Sequence, residues 1–166
     1  MKLLKTDLTQ RIHKESMLRK VRADENNINL LLEWSMLKEQ PLGWRAIWIL
    51  KQVLKKNDPR LLPHIDKVLD HFTTFNESQK REWLKTLEHQ LINEDQEGLL
   101  FDLCVTEWKK IQNHPALRAS SIQVIFKLLK KYPELKDELN HLMGAEYLET
   151  LSPGIRRIIL RNWANY

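Results

Sequence analysis

Two sets of residues have spacings that suggest metal binding. Glu138 and His141 form a Glu-x-x-His motif, the helical spacing that di-iron bundles use for two of their ligands. Those bundles need a second motif and two further glutamates, so a single copy indicates an ordinary surface pair. His64 and His71 are seven residues apart, about 10 Å along a helix, which is too far for both to bind one ion. The sequence therefore predicts no metal site and no cofactor.

A catalytic nucleophile is also hard to identify. Cys104, the only cysteine, stands between Leu103 and Val105 in a helical pattern, without the histidine or helix start that stabilises a thiolate. We interpret it as a small buried apolar side chain. No serine has the Gly-x-Ser-x-Gly context of a hydrolase, and no glycine-rich loop could hold a phosphate. The sequence favours a protein that is not an enzyme, although a dispersed site, such as an aspartate and a tryptophan in one groove, would leave no linear motif.

Basic residues at the ends of several helical segments are the best candidates for a binding surface. They could attract acidic protein or a nucleic-acid backbone if the helix ends share one rim of the fold. The simpler alternative is that each cation stabilises the negative end of its own helix by roughly 0.3–1 kcal/mol. The chain has a net charge of +5 whose signs alternate along the sequence, which favours this alternative. The candidate surface comprises Lys55, Lys56, Lys109, Lys110, Lys130, Lys131, Arg156, Arg157 and Arg161.

The composition limits the elements that could carry these residues. At 166 residues the chain fits one domain, residues 1–166. Its 4 glycines are too few for the turns of a β-rich fold or for a flexible tether between domains. A single cysteine excludes an internal disulfide and indicates a cytoplasmic protein. Charges interrupt the N-terminus before a signal-peptide core could form, and no apolar stretch approaches the roughly 20 residues that cross a membrane.

Helix breakers fall at regular intervals, with apolar residues of helical period between them. Asp58 and Ser152, each followed by a proline, predict helix starts. Asn76 with Gln79 three residues later resembles a capping box. The predicted helices cover about residues 6–23, 28–38, 44–56, 59–72, 77–92 and 94–112, with further helices opening at Pro115, Pro133 and Pro153 and a stop at Gly144.

Residues 44–72 and 115–143 repeat one two-helix unit. Each copy has an apolar helix, a basic end, a turn with a proline and a second helix with a narrower apolar stripe. We expect the first helix of each copy to be covered on most sides and the second to face water on one side. Such a unit cannot bury its apolar faces alone, so copies must stack. The sequence therefore predicts an all-α fold of about nine helices, arranged as stacked antiparallel hairpins.

The tryptophans and two arginines each have two interpretations. Trp44 and Trp48 are one helical turn apart and should share a face. Packing in the core and between repeats is the expectation for most of the six tryptophans, whereas one or two could line a groove and anchor a partner. Arg45 and Arg118 occupy corresponding positions near the start of the first helix of each copy. We expect each to form a salt bridge or cap between neighbouring repeats, with phosphate binding as the alternative.

This order of elements, with an Arg-Ala pair near the start of the first helix, resembles the HEAT-like α-solenoid class. The stretch 118–142 is especially similar to small HEAT-like proteins of Bacteroidetes genomes, and there is a more distant similarity to HEAT-like DNA glycosylases that repair alkylated bases. The resemblance implies a superhelix of hairpins that presents an extended surface to proteins or peptides. The glycosylases imply binding to a nucleic-acid backbone, although no local motif allows their site residues to be placed on this sequence.

Together these observations favour a non-enzymatic protein-interaction or scaffold module. Its expected partner is another protein or a peptide, and not a membrane. A nucleic-acid backbone binder is the main alternative, and an enzyme with a dispersed site is the third hypothesis. An adenylosuccinate lyase is disfavoured, because its glycine- and serine-rich catalytic loop has no counterpart in a chain with 4 glycines.

Overall fold

The computed structural model describes residues 2–10 and 13–166, apart from the side chain of Glu138. Every regular element in this part of the chain is a helix, which confirms the all-α class. Short 3-10 helices cover Leu62–His64, Phe72–Thr74, Pro133–Leu135 and Asn140–Met143. The α-helices are α1 (Lys5–Thr9), α2 (Lys14–Arg22), α3 (Asn26–Ser35), α4 (Leu42–Val53), α5 (Ile65–His71), α6 (Glu77–Leu87), α7 (Glu94–Lys109), α8 (Pro115–Lys131), α9 (Lys136–Leu139), α10 (Ala145–Leu148) and α11 (Pro153–Trp163).

The chain divides into two units, residues 1–92 with α1–α6 and residues 93–166 with α7–α11. In the first unit α4 is the central helix and packs against α1, α2, α3 and α6. Its apolar residues are buried on more than one side, as the full burial of Ala46, Ile47, Ile49 and Leu50 shows. This arrangement confirms that the first helix of the first copy is covered on most sides.

In the second unit α8 has the corresponding central position. It packs against α7, α11 and the 3-10 helix Pro133–Leu135. The short connection over residues 110–114 turns the chain back, so α7 and α8 form an antiparallel hairpin. The apolar residues of α8 that this packing buries include Leu117, Ile122, Val124, Ile125, Phe126, Leu128 and Leu129.

The helix predicted over residues 6–23 is instead two helices, α1 and α2. Gln10 has an extended backbone after α1, with φ −86° and ψ −175°, and residues 11–12 lie outside the described part. The cause is a tertiary contact, because the Arg45 guanidinium donates hydrogen bonds to the carbonyl oxygens of Leu8 and Gln10 at 2.7 and 3.0 Å. These bonds satisfy carbonyls at the C-terminal end of α1, which would otherwise need a further helical turn.

The second helix of the first copy starts later than the pattern predicts. Asp58 does not open an α-helix but closes a turn, since its carboxylate accepts the backbone N–H groups of Lys55 and Arg60. The first α-helical residue after this turn is Ile65. Pro63 contributes to the delay, because it lacks the backbone N–H that would donate to a preceding turn of α-helix. In the second copy, α9 is likewise only one turn between two 3-10 helices.

Other predicted helix starts are confirmed. Pro115 and Pro153 each open a helix, α8 and α11. At the start of α6, the side-chain oxygen of Asn76 accepts the backbone N–H of Gln79 at 2.9 Å. The Gln79 side chain, however, does not bond back to Asn76. It donates to two carbonyl oxygens at and just after the end of α3, so the predicted capping box is replaced by a contact between helices.

Four helices end three to five residues earlier than the sequence predicts. Their last residues are Ser35 in α3, Val53 in α4, Leu87 in α6 and Lys109 in α7. Leu91 and Ile111 continue the apolar spacing of α6 and α7 in the sequence, but both lie beyond the ends of these helices and are 66% and 52% exposed. The predicted stop at Gly144 is followed by one more short helix, α10, that the pattern did not indicate.

Candidate binding groove between α7 and α8

A groove opens in the second unit where the first half of α7 meets the last turn of α8. Its volume is about 290 Å³, close to the lower end of the range typical of ligand pockets. Apolar side chains from α7, α8 and the following 3-10 helix form its floor, and carboxylates lie along α7. The lining residues are Glu94, Glu97, Gly98, Phe101, Asp102, Leu128, Tyr132 and Leu135.

Gly98 is the residue of α7 that leaves this groove open. Together with Glu94, Phe101 and Asp102 it follows the spacing i, i+4, i+7 and i+8, which places all four on one face of the helix. A Cβ atom added at Gly98 would meet nothing within 4 Å. Glycine within a helix costs roughly 1 kcal/mol relative to alanine, so this open position is also a local source of instability.

Glu97 joins the two walls of the groove. Its Oε2 atom accepts hydrogen bonds from the Lys131 ammonium at 2.6 Å and from the Tyr132 hydroxyl at 2.7 Å. Partial burial raises the pKa of Glu97, but these two hydrogen bonds and the nearby lysine charges lower it by more, so the net pKa is below its ordinary value. The Glu97 hydrogen bond in turn raises the pKa of both Lys131 and Tyr132. Glu97 is therefore ionised and neutralised locally, whereas Glu94 and Asp102 are exposed acids on the groove.

The lysines predicted at the ends of α7 and α8 are not close together. Because the two helices are antiparallel, Lys109 and Lys110 lie near the start of α8, whereas Lys130 and Lys131 lie near the start of α7. The 17 residues of α8 correspond to about 25 Å between these ends. Lys110 pairs with Glu107 at 2.9 Å, and Lys131 pairs with Glu97.

The remaining residues of the predicted basic surface fall in two places. Arg156, Arg157 and Arg161 are on α11, which packs against α8, and the last two are exposed one helical turn apart. Lys55 and Lys56 belong to the first unit, where they follow α4 and line a cavity of about 130 Å³. A binding role for this set remains a prediction.

The residues considered for catalysis and metal binding have ordinary surroundings. Cys104 is fully buried, and burial, with a smaller effect from the Glu107 charge, raises the pKa of its thiol far above the usual range. The prediction of a small buried side chain is thus confirmed. His141 is exposed, and the side chain of its predicted partner, Glu138, lies outside the described part. In the described residues no group of three or more His, Cys, Asp or Glu side chains could hold a metal ion.

Among the described residues of the second unit, Arg118 and Glu107 are the most buried charged side chains, each with 1% of its surface exposed. The Arg118 side chain makes several contacts. Its guanidinium donates to the carbonyl oxygens of Trp108 and Tyr147, at 3.0 and 2.7 Å, and to the Thr150 hydroxyl at 2.6 Å. It also lies 4.6 Å from the centroid of the Trp108 ring. Arg118 and Arg45 both bind carbonyls at the end of another helix, which confirms the predicted capping role.

The tryptophans divide between the core and the surface. Trp34, Trp83 and Trp108 are buried, as core packing predicts. Trp44 and Trp48 are partly exposed and each lies against a cation, Arg45 at 5.5 Å and Lys14 at 5.9 Å from the ring centroid. Trp163 is also partly exposed, and its ring is 6.1 Å from that of Phe126.

The groove itself was missed by sequence reasoning. Its walls come from the start of α7 and the end of α8, residues about 35 positions apart that only the antiparallel hairpin brings together. One local signal was available. Gly98 interrupts the helical pattern without ending it, so the helix face that also carries Glu94, Phe101 and Asp102 has one position without a side chain.

The comparisons with known proteins identify the repeat type. A family model described as a HEAT repeat domain matches residues 4–163, a span that includes the groove and most of both units. No curated protein and no solved structure matches the chain significantly. A search of the described residues for membrane spans finds no helix that is long and apolar enough to cross a bilayer.

Proposed function

Because the chain belongs to the HEAT repeat domain family over nearly its whole length, we propose that it is a protein-interaction module whose groove between α7 and α8 binds a peptide segment of a partner. The observation that carries the proposal is the combination of an apolar floor, an open backbone at Gly98 and two exposed acids on the same helix face. Stacked helical hairpins commonly bind partners along such surfaces.

The shape and charge of the groove indicate the kind of segment. A volume of about 290 Å³ has room for one or two apolar side chains, and buried apolar anchors supply most of the energy of such interfaces. Glu94 and Asp102 favour lysine or arginine on either side of the anchor, because complementary charges select the partner and speed association. The partner segment is therefore an apolar or aromatic anchor flanked by basic residues.

The proposal includes two points about the whole protein. The two units belong to one repeat domain, since one family model spans both. The module works in the cytoplasm with protein partners, a setting that suits a single protonated thiol without a disulfide partner. The basic residues outside the groove then serve their own helix ends, as Lys110 does by pairing with Glu107 of the same helix.

Peptide selection tests the groove directly. Peptides enriched from a random display library on the full chain should contain an apolar anchor next to lysine or arginine. A Cβ atom at Gly98 meets nothing within 4 Å, so Gly98→Leu places its side chain in the open groove and should weaken binding of these peptides at least about tenfold, or about 1.4 kcal/mol. Asp102→Lys should weaken it further for the most basic peptides.

Gly154→Leu is the matched control, because Gly154 also has open space around it but lies on α11, outside the groove. Its binding should equal that of the unchanged protein. Peptides that bind Gly98→Leu as tightly as the unchanged protein would show that the groove is not the binding site. Binding of duplex DNA that weakens steeply with salt would instead support the nucleic-acid hypothesis.

A further inference from the structure

Helix α11 is held against α8 by one of its sides. Ile159 is buried, and the Trp163 ring lies 6.1 Å from the Phe126 ring of α8. Just after α11, the Tyr166 hydroxyl donates to the Phe126 carbonyl oxygen at 2.8 Å. These contacts fix the position of α11 on α8, so the opposite side of α11 is a fixed, exposed surface.

That exposed side carries aliphatic and cationic residues together, and we call it the basic face. It consists of Arg157, Ile158, Leu160 and Arg161, all exposed. Ile158 and Leu160 are 47% and 42% exposed, and each has an arginine three residues away, which is the spacing of neighbours on a helix surface. Among the described residues, neither arginine has an ion pair. Arg157 also lies before the last turn of α11, so stabilisation of the helix end does not explain it.

Helix α7 has an exposed face of the opposite charge, which we call the acidic face. It consists of Asp95, Gly98, Leu99 and Asp102, whose spacing i, i+3, i+4 and i+7 places them on one side of the helix, and all four are exposed. Leu99, 42% exposed, lies between two carboxylates that have no ion pair within the described part of the chain. Gly98 and Asp102 also line the groove between α7 and α8, so the acidic face and the groove form one continuous surface.

The acidic and basic faces match each other. Each presents exposed aliphatic side chains beside charged ones, and the charges have opposite signs, which is the complementarity that selects a partner and guides association. Guanidinium and carboxylate groups also form strong paired hydrogen bonds. The basic face fits the description of a groove partner, an apolar anchor with basic residues beside it. Because both faces are exposed in a single copy, they do not cover each other, and each finds its counterpart on a second copy.

We propose that the basic face of one copy docks on the acidic face of a second copy. One aliphatic side chain of α11 enters the groove beside Gly98, the other covers Leu99, and the two arginines pair with the two aspartates. This inference rests on the proposed function, because it names an occupant for the groove, but it adds that the occupant is the protein itself. The contact joins two different surfaces, so it generates closed assemblies or open chains. Both faces are short, so association should be weak and should rise with concentration.

Exchange of charge between copies tests this contact. Asp95→Lys with Asp102→Lys makes the acidic face basic, and Arg157→Glu with Arg161→Glu makes the basic face acidic. In sedimentation velocity between about 10 and about 1000 μM, where weak complexes form, the unchanged protein should associate. Each double variant alone should associate at least about tenfold more weakly, because like charges then meet. An equimolar mixture of the two variants should regain association, since every basic face then has an acidic face to meet.

The mixture separates a specific contact from general attraction between the proteins. The unchanged chain has a net charge of +5, and each double variant changes it by four, so both variants stay positive and repel each other overall. The matched control is Glu33→Lys with Asp70→Lys, which adds the same positive charge as the first double variant at exposed residues outside both faces. This control should associate like the unchanged protein.

A further variant distinguishes this inference from the proposed function. Ile158→Ser removes an anchor from α11 but leaves the groove intact, so it should weaken self-association about tenfold while peptides selected on the groove bind as before. An unchanged protein that stays monomeric over the whole concentration range, or a mixture that does not regain association, overturns the inference, whereas peptide binding in the groove would still support the proposed function. Monomeric protein that cosediments with phosphatidylserine vesicles also overturns it, and shows that the basic face binds an anionic lipid surface instead.

Discussion

Corresponding arginines in the two units show how the same capping contact depends on its surroundings. Arg45 in the first unit is partly exposed and donates to two carbonyl oxygens at the end of α1. Arg118 in the second unit is almost completely buried, donates to three oxygens and lies against the Trp108 ring. The repeat position fixes the chemical role, whereas burial decides how strongly stability depends on it, because a buried oxygen without a partner cannot be bonded by water.

Replacing each arginine with methionine gives the largest expected effect. Arg118→Met leaves three oxygens of the second unit without their donor and should lower the free energy of unfolding by about 4 kcal/mol. Arg45→Met should lower it by about 1 kcal/mol, because water can reach the freed carbonyls. Urea unfolding followed by circular dichroism measures both losses.

Arg157→Met is the control for this pair, since Arg157 is exposed on α11 and its loss should change stability by no more than about 0.5 kcal/mol. Equal losses for Arg45→Met and Arg118→Met would show that burial does not separate the two capping contacts.

Glycines within helices also differ between the units. A Cβ atom on Gly43, in α4, would lie 2.5 Å from the Leu37 carbonyl oxygen and 2.6 Å from Gln79 Nε2. Gly43→Ala should therefore lower the free energy of unfolding by about 2 kcal/mol, because backbone cannot move aside cheaply. Gly98→Ala, in the open groove of the second unit, should raise it by about 0.5–1 kcal/mol. Thermal unfolding should show opposite shifts, and shifts of the same sign would contradict the assigned surroundings.

The smallest expected difference in the free energy of unfolding is between substitutions of two glutamates, Glu82 and Glu97. Both effects should depend on pH. Burial raises the pKa of Glu82, but the hydrogen bond from Lys51 and the charges of Lys51, Lys85 and Arg81 lower it by more, so the net pKa is below its usual value of 4.5. The pKa of Glu97 is also lowered, at a more exposed site. A carboxyl with a lowered pKa stabilises the fold above its unfolded pKa, and this stabilisation is lost as the pH falls through the folded pKa.

At pH 7, Glu82→Gln should therefore lower the free energy of unfolding by about 2 kcal/mol. Glu97→Gln should lower it by about 0.5 kcal/mol, since solvent screens the exposed ion pair with Lys131. For both variants the difference from the unchanged protein should shrink as urea unfolding is repeated below about pH 4.5. A difference that is constant with pH would mean that the carboxyl charge does not stabilise the fold.

The sequence predicts those features of the fold that depend on neighbouring residues. Pro115 and Pro153 start helices because proline suits the first helical position, and Asn76 caps α6 through a residue three positions away. The apolar period of α4 and α8 predicts their central positions. The break between α1 and α2 could not be predicted, because it depends on Arg45, whose position along the sequence gives no sign of which carbonyls it will bind.

The candidate sites depend even more on tertiary structure. The sequence predicts a binding surface from lysines at helix ends, but an antiparallel hairpin separates the ends of α7 and α8. The Tyr132 hydroxyl reaches the Glu97 carboxylate across the groove only because the chain turns back and runs along α7. Trp83 and Trp108 are both fully buried, and nothing in the sequence indicates that, among the described residues, the Trp108 indole has an acceptor and the Trp83 indole has none.

The buried thiol of Cys104 allows local opening of the second unit to be measured without any introduced label. A thiol-specific reagent cannot react with a protonated sulfur in the core, so modification of the unaltered protein waits for local opening of α7. When opening is rapid and reversible, the labelling rate gives the free energy of that opening. A peptide held between α7 and α8 would slow the same reaction. The labelling rate of Cys104 would then report how much of the protein has its groove occupied.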